Sequence, residues 1–416
     1  MEYKSAIPVP DAKSQLHALD SKRDNVVLYG TGNYGALALH ALKARGITPL
    51  CICDSNQNNW GKEFYGHKVI SPLELKKSHA SALVIVASLQ FRFLDGQLKK
   101  RGHQIMDCDA LFSEIDLTGI AAPAPVERLI WMLDLYLFAM DSAKDTKNLK
   151  IKSLDIVVTE KCTLKCADCS NLMQYYEKPQ DSVLDVTLAS LDRFMAQIDD
   201  IHEFRLIGGE PLMYKKLPEV IKHLSKYENC RHITIFTNGT INPKGEMLEA
   251  VKNKRVQLII SDYGSLSKNV KPLVESMKAE GVPIIVYNQD SWQDCAEIKQ
   301  IERTPEQLEE VFGNCCVNDT MNLLHGKLYT CPFSAHTDNL KAVPHKAEDF
   351  VDLMNSDSAG LKERIRTLAS GRKFISACNF CAGRDYNSGT VEVALQTKTV
   401  LPYTKYALES DAAPTK

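Results

Sequence analysis

Residues 154–169 read L-D-I-V-V-T-E-K-C-T-L-K-C-A-D-C. The run Leu154–Thr159 has the length and β-branched content of a buried strand, and three cysteines follow it at C-x3-C-x2-C spacing. Thiolates of Cys162, Cys166 and Cys169 this close together can hold three corners of a cubane iron–sulfur cluster and leave the fourth iron open to a ligand. Four-cysteine structural sites close every position instead. The competing reading is a zinc knuckle short of one ligand, or a chance cluster. Motifs in register further along the chain weigh against it.

A second apolar segment, Phe204–Ile207, runs into Gly208-Gly209-Glu210-Pro211. Paired glycines let backbone approach a ligand closely, and the Glu210 carboxylate can accept from an ammonium group. Ile233–Phe236 ends in Thr237-Asn238-Gly239, Val256–Ile260 ends in Ser261-Asp262, and Val282–Tyr287 is a fifth strand-like run. Helix-period segments near 183–200, 217–227, 245–254 and 268–280 lie between them. Strands alternating with helices, with polar residues at the strand C-termini, predict an α/β fold whose active face lies at those ends.

Taken together these residues resemble the radical SAM superfamily, over about residues 151–312. The resemblance implies a partial (β/α)6 barrel with a [4Fe–4S] cluster on Cys162, Cys166 and Cys169. S-adenosylmethionine would chelate the open iron through its amino and carboxylate groups. Gly208, Gly209 and Glu210 match the family's GGEP element, which puts Glu210 on the methionyl amine, and Asn238 and Ser261 are further cofactor contacts. Asp168 stands where the family usually has an aromatic residue, so the adenine contact has to come from elsewhere.

A second cysteine set follows. Cys316, Gly326 and Cys331 spell C-x9-G-x4-C, and Cys378 and Cys381 spell C-N-F-C. A hairpin with one cysteine on each arm, joined by a C-x2-C turn, can converge on a four-thiolate site that suits zinc or iron–sulfur. Beside a radical SAM core the pattern resembles the Twitch domain, the short form of the SPASM extension, which implies an auxiliary [4Fe–4S] cluster. Cys315 is the alternative to Cys316, which keeps the spacing. No cysteine follows Cys381, so a further auxiliary cluster would lack ligands.

The first third of the chain is separate. Val26–Tyr29 is a buried-strand run followed by Gly30-Thr31-Gly32-Asn33-Tyr34-Gly35 and a helix-period segment through Ala44. The next strand, Pro49–Cys53, ends in Asp54, where a dinucleotide fold places its ribose-binding acid. Leu83–Ala87 and Gln104–Asp107 complete a small Rossmann-like unit. It resembles modules of surface-polysaccharide and nucleotide-sugar biosynthesis, in which Gly30, Gly32, Gly35 and Asp54 would cradle a nucleotide or nucleotide sugar. A relic fold used for docking is the alternative.

The expected organisation is therefore a Rossmann-like domain at 1–120 and a linker with bridging helix at 121–150. The core barrel follows at 151–312, with the auxiliary-cluster domain and a frayed tail from 410 at 313–416. Thirteen cysteines in 416 residues, with no apolar leader at the start, suggest a reducing cytoplasm with thiols used as ligands. Leu129–Met140 is short and interrupted by Asp134, so no membrane span is expected. A formal net charge of −2 leaves no footprint for nucleic acid.

By the resemblance, an electron from a flavodoxin- or ferredoxin-type donor would start hydrogen abstraction from a carbohydrate or nucleotide-sugar substrate, ending in oxidation or epimerisation. A ribosomally made peptide is the alternative substrate. Epimerisation needs a hydrogen donor, for which Cys295, Tyr175 and Tyr176 are candidates, with Cys230 behind them. Arg384 is a candidate partner for an anionic substrate or for a surface acid. His202, His325 and His336 carry no assignment.

Overall fold

The computed structural model describes residues 3, 7–121, 124–318, 320–385 and 388–406, with the side chains of 92 and 93 excepted. The stretch expected to fray from 410 lies outside them. Contacts divide the chain into two units, Met1–Lys147 and Asn148–Lys416.

In the first unit six strands form: β1 (Val26–Tyr29), β2 (Ile52–Cys53), β3 (Glu63–Phe64), β4 (His67–Ile70), β5 (Leu83–Val86) and β6 (Gln104–Met106). Their order is β3-β4-β2-β1-β5-β6, parallel throughout except for the β3–β4 hairpin. Alternate residues of β1 enter two cores: Val26 and Leu28 pack on one face, Val27 and Tyr29 on the other. Burial on both faces is why these strands read as unbroken apolar runs. Strand order reverses between β1 and β5, the place where such sheets open a crevice at their C-terminal ends.

The helix Val126–Lys144 corrects the expectation of a bridging element. Leu129, Leu133, Tyr136, Leu137, Phe138 and Met140 are buried in the first unit's core, and the Tyr136 hydroxyl donates to the Val86 carbonyl at 3.2 Å. At its end Lys144 pairs with Asp107, at 2.9 Å, and with Asp109. A helix this apolar around its circumference has to be covered.

The second unit holds β7 (Lys150–Thr159), β8 (Asp200–Gly208), β9 (Cys230–Thr237), β10 (Val256–Asp262), β11 (Ile284–Asn288), β12 (Trp292–Gln293), β13 (Met321–Leu324), β14 (Lys327–Tyr329), β15 (Phe350–Asp352) and β16 (Thr390–Val391). Its main sheet runs β11-β10-β9-β8-β7-β13-β14-β15. The strands β7 to β11 are parallel neighbours in chain order, with helices Leu184–Met195, Leu217–Leu224, Glu246–Val251 and Val270–Ala279 between them. Leu154, Ile156 and Val158 of β7 pack with Phe204 and Leu206 of β8 and with these helices in one core.

Two expectations change here. A sixth parallel strand is present, but it is β13, which joins beside β7 and does not follow β11 around the sheet. The boundary at 312/313 also separates no independent body, because β13, β14 and β15 extend the same sheet. The β13–β14 hairpin turns at His325-Gly326, with φ of 49° and 86°. That pair of left-handed residues explains the glycine of the C-x9-G-x4-C motif. No helix among the described residues is long and apolar enough to cross a membrane.

Candidate functional site

The cysteine loop leaves the end of β7 and is clamped against the turn that ends β8. Backbone bonds continue past the strands, with Gly209 N–H donating to the Thr159 carbonyl at 2.9 Å and Glu210 N–H to the Lys161 carbonyl at 2.8 Å. A Cβ on Gly208, whose φ is +149°, would stand 2.1 Å from the Thr159 oxygen. One on Gly209 would stand 2.2 Å from the Lys161 oxygen and 2.9 Å from Cys162 Cβ. Only glycine fits either place, which is the close approach expected of this pair. Beyond Cys169, Asn171 Nδ2 donates to the Gly208 carbonyl at 3.0 Å and closes the loop on the same turn.

Donors meet the sulfurs. Asn238 Nδ2 lies 3.6 Å from Cys162 Sγ and 3.0 Å from Thr163 Oγ1, so Asn238 holds the cysteine loop itself. Gln396 Nε2 donates to Cys166 Sγ at 3.3 Å, and backbone bonds Ala167 N–H to Leu395 O and Thr397 N–H to Lys165 O, both 2.7 Å, lay residues 395–397 along the loop. Burial pushes the Cys162 thiol up to about 12 and that of Cys166 to about 11. Binding iron would draw these protons off.

Glu210 is fully buried. One carboxylate oxygen accepts from Leu212 N–H at 3.1 Å; the other accepts from Asn238 N–H at 2.8 Å and Thr237 Oγ1–H at 3.0 Å. Burial raises its pKa to about 7 against the pull of those bonds. A buried carboxyl poised near neutrality is ready to ionise when a cation arrives. Ser261, at the end of β10, is half-buried, and beside it Tyr263 was missed by the sequence reading. Its phenol is pushed up to about 12, by burial first and by the thiols of Cys166, Cys169 and Cys162 as well, and its ring meets Trp292 edge-on at 5.5 Å.

The second cysteine set lines one cavity of about 430 Å³, mouth included, with Cys315, Cys331, Cys378 and Cys381 in its wall. Of the two candidates, Cys315 lines this cavity and Cys316 does not. Cys316 is exposed and points to Gln293 Oε1 at 3.8 Å, whereas Cys315, its neighbour at the end of helix Pro305–Asn314, faces the cavity. Among the described residues no three His, Cys, Asp or Glu side chains are disposed to hold a metal ion as they stand. The four cysteines line one wall, and four thiols are the ligand number a multi-iron group takes. Hydrogen-bond donors meet sulfurs of this set: Ser334 N–H reaches Cys331 Sγ at 3.3 Å and Gly383 N–H reaches Cys381 Sγ at 3.4 Å. The residues present fit such a group.

The candidate hydrogen donors are buried. The Tyr175 hydroxyl donates to the Ala296 carbonyl at 3.1 Å, and the Tyr176 hydroxyl meets His336 Nδ1 at 2.8 Å while accepting from Asn339 Nδ2 at 3.0 Å. Both rings belong to a packed cluster with Leu172, Phe312 and Phe333, so these phenols are core residues. Cys295 is buried beside Arg384 and Cys381. Cys230 donates to the His232 carbonyl at 3.2 Å inside the main core.

In the first unit a Cβ on Gly35 would fall 2.2 Å from the Gly30 oxygen, and one on Gly30, at φ +119°, 2.9 Å from the Ala87 oxygen. Gly32 has open space. Asp54 accepts from Thr31 N–H at 2.8 Å, from the Thr31 hydroxyl and from Asn56 N–H at 2.7 Å. Its carboxylate thus braces the glycine turn.

Comparison with known proteins gives the same centre of gravity. Residues 156–263 match the model of the Radical SAM superfamily. GTP 3′,8-cyclase from Alkaliphilus metalliredigens (strain QYMF) is 27% identical over 176 residues, which is 37% of this chain and 54% of that protein. The enzyme of the same name from Campylobacter jejuni subsp. doylei is 36% identical over 92 residues, 22% of this chain and 28% of that one. The chain thus spans about half the length, or less, of these relatives. Among solved structures, BtrN in complex with AdoMet and 2-DOIA aligns at TM-score 0.38 and 12% identity, covering 62% of this chain and 98% of that chain. Native anSMEcpe with bound AdoMet and Kp18Cys peptide aligns at 0.28 and 20%, covering 33% and 42%. Residues 156–263, which carry the cysteine loop, the double-glycine turn with Glu210 and the Asn238 clamp, are a radical SAM superfamily domain.

Proposed function

We propose that this chain is a radical SAM enzyme that oxidises a polar small molecule, a carbohydrate or nucleotide-linked sugar. The observation that carries the first half is the assembly of Cys162, Cys166 and Cys169 around Gly208-Gly209, with buried Glu210 behind them. Cys162, Cys166 and Cys169 would hold a [4Fe–4S] cluster that would supply the electron for cleaving S-adenosylmethionine to methionine and a 5′-deoxyadenosyl radical, and Cys315, Cys331, Cys378 and Cys381 would hold a second cluster that would accept one electron from the substrate. Glu210, ionised, takes the methionyl ammonium. Tyr263 offers the aromatic surface that Asp168 does not.

The inner face of the sheet supports a polar substrate. One row across it reads Asn322, Asp155, Arg205, Thr234 and Gln257, in register from β13 to β10. Arg205 pairs with Asp155, and Gln257 donates to Thr234 at 2.8 Å. The hydroxyls of Tyr175 and Tyr176 are engaged by Ala296, His336 and Asn339 within a packed cluster and Cys295 is buried, which favours oxidation over epimerisation, since a hydrogen donor has to be free to reach the substrate radical. In an alcohol oxidation, the substrate loses one hydrogen atom to the radical, then one electron and one proton, leaving a carbonyl. A flavodoxin- or ferredoxin-type protein supplies the starting electron. In the first unit, helix Asn33–Ala44 offers its N-terminus at Gly32 to a nucleotide diphosphate, with Asp54 holding the turn.

The test uses anaerobically reconstituted protein in D2O with SAM, a reductant and a panel of nucleotide sugars. 5′-Deoxyadenosine should form together with a sugar two mass units lighter; a sugar one unit heavier would mean epimerisation and overturn the oxidation reading. Cys166→Ala is expected to bring deoxyadenosine to background, and cleavage surviving that change would remove the radical SAM assignment. The second centre has its own check in iron and acid-labile sulfide per chain. Cys315→Ala should lose about half of both, whereas Cys316→Ala should keep them.

A further inference from the structure

Arg384 lies between the two cysteine sets with 6% of its surface exposed. Its Nη2 donates to the carbonyl of Ser170, the residue after Cys169, at 2.8 Å. Its own carbonyl accepts from Cys316 N–H at 3.0 Å, and its side chain lines the cavity with Cys315, Cys331, Cys378 and Cys381. Gly383, at φ +104°, makes the turn that brings it there from Cys381. Nε is buried and has no hydrogen-bond partner. The titratable groups it faces are Cys295, Cys381, Cys331 and Cys315, and no carboxylate among the described residues pairs with it.

A buried guanidinium without a counter-anion is costly. What relieves it is a negative group in the cavity it faces. Four thiolates around a [4Fe–4S]2+ core carry net negative charge. We propose that Arg384 is the counter-cation of the group held by the second cysteine set, and that its bond to Ser170 ties that group to the loop of the first. This rests on the reading of Cys315, Cys331, Cys378 and Cys381 as cluster ligands. Arg384 is a positioning and potential-setting residue. A fixed positive charge stabilises the reduced, more negative state of a centre and so raises its potential.

The experiment uses the full chain with Cys162, Cys166 and Cys169 replaced by Ala, so that only the second centre reconstitutes. Its midpoint is followed by EPR during a redox titration. Arg384→Gln should make that midpoint more negative by at least a tenfold change in the reduction equilibrium, ~59 mV for a one-electron couple. Arg384→Lys should stay closer to the parent. An unmoved potential in a fully loaded Gln variant overturns the proposal. If Arg384→Gln fails to load iron and sulfide, loading of Arg384→Lys supports the charge role, and equal failure of Lys overturns it. A parent that takes up no iron or sulfide sinks the cluster reading itself, an outcome distinct from an unmoved potential.

Discussion

Gly209→Ala is expected to leave the first cysteine set unable to hold iron, with loading below a tenth of the parent's. The added methyl would sit 2.2 Å from the Lys161 carbonyl oxygen and 2.9 Å from Cys162 Cβ. Neither neighbour is the flexible end of a side chain. Lys161 is fixed by the 2.8 Å bond its carbonyl accepts from Glu210 N–H, so relief requires the cysteine loop to lift off the β8 turn. Overpacking of this kind costs about 1–3 kcal/mol or more, and here the displaced backbone is the one that carries the ligands. The measurement is iron and sulfide per chain in a Cys331→Ala, Cys378→Ala background, beside Gly96→Ala, whose methyl would meet nothing within 4 Å. Full loading of the Gly209 variant would mean that the loop has slack the close contacts deny.

Glu210→Gln is expected to weaken SAM binding by on the order of 10²-fold or more. Removing one partner of a buried charge pair costs ~2–5 kcal/mol. An amide also cannot serve the three donors that now converge on the two oxygens, from Leu212, Asn238 and Thr237. One of its N–H groups would face another donor, a further cost of ~1–3 kcal/mol. The pH dependence has a definite sign. Burial raises the Glu210 pKa to about 7, so below that value the carboxyl is neutral and has to lose a proton before it meets the ammonium. SAM affinity should therefore rise from pH 6 to pH 8 in the parent, approaching tenfold per unit on the acid side. The Gln variant should show no such rise. Equilibrium binding by calorimetry across that range separates the two, and a parallel slope in both proteins would place the titrating group elsewhere.

Much of this was legible in the chain. The C-x3-C-x2-C loop after an apolar strand, the glycine pair before Glu210 and the alternation of strand and helix runs are local patterns. Each is dictated by reach: ligands on one loop lie within a few residues, and strands with period-two burial announce themselves. The two-sided burial of β1 likewise shows as an unbroken apolar run. At two places spacing does not say how a side chain is used. Cys316 keeps the C-x9-G-x4-C count, yet the turn that ends helix Pro305–Asn314 brings Cys315 to the cavity and leaves Cys316 exposed. Adjacent residues point in different directions, and only the backbone there says which. Asp54 occupies the ribose position by count, yet Thr31 and Asn56 occupy its oxygens.

The sequence by itself determined which thiols are grouped, the glycine turn beneath them and the α/β order of strands and helices. Those depend on neighbours along the chain. Tertiary structure alone decided that β13 joins the sheet beside β7, that residues 395–397 line the Cys166 loop, and that Arg384 is a buried cation facing both cysteine sets. These pairings span from about 170 to about 230 residues of chain, and no local propensity encodes them. They arise because burying apolar surface in one sheet and its helices fixes where distant polar groups end up, and each buried polar group must then find a partner.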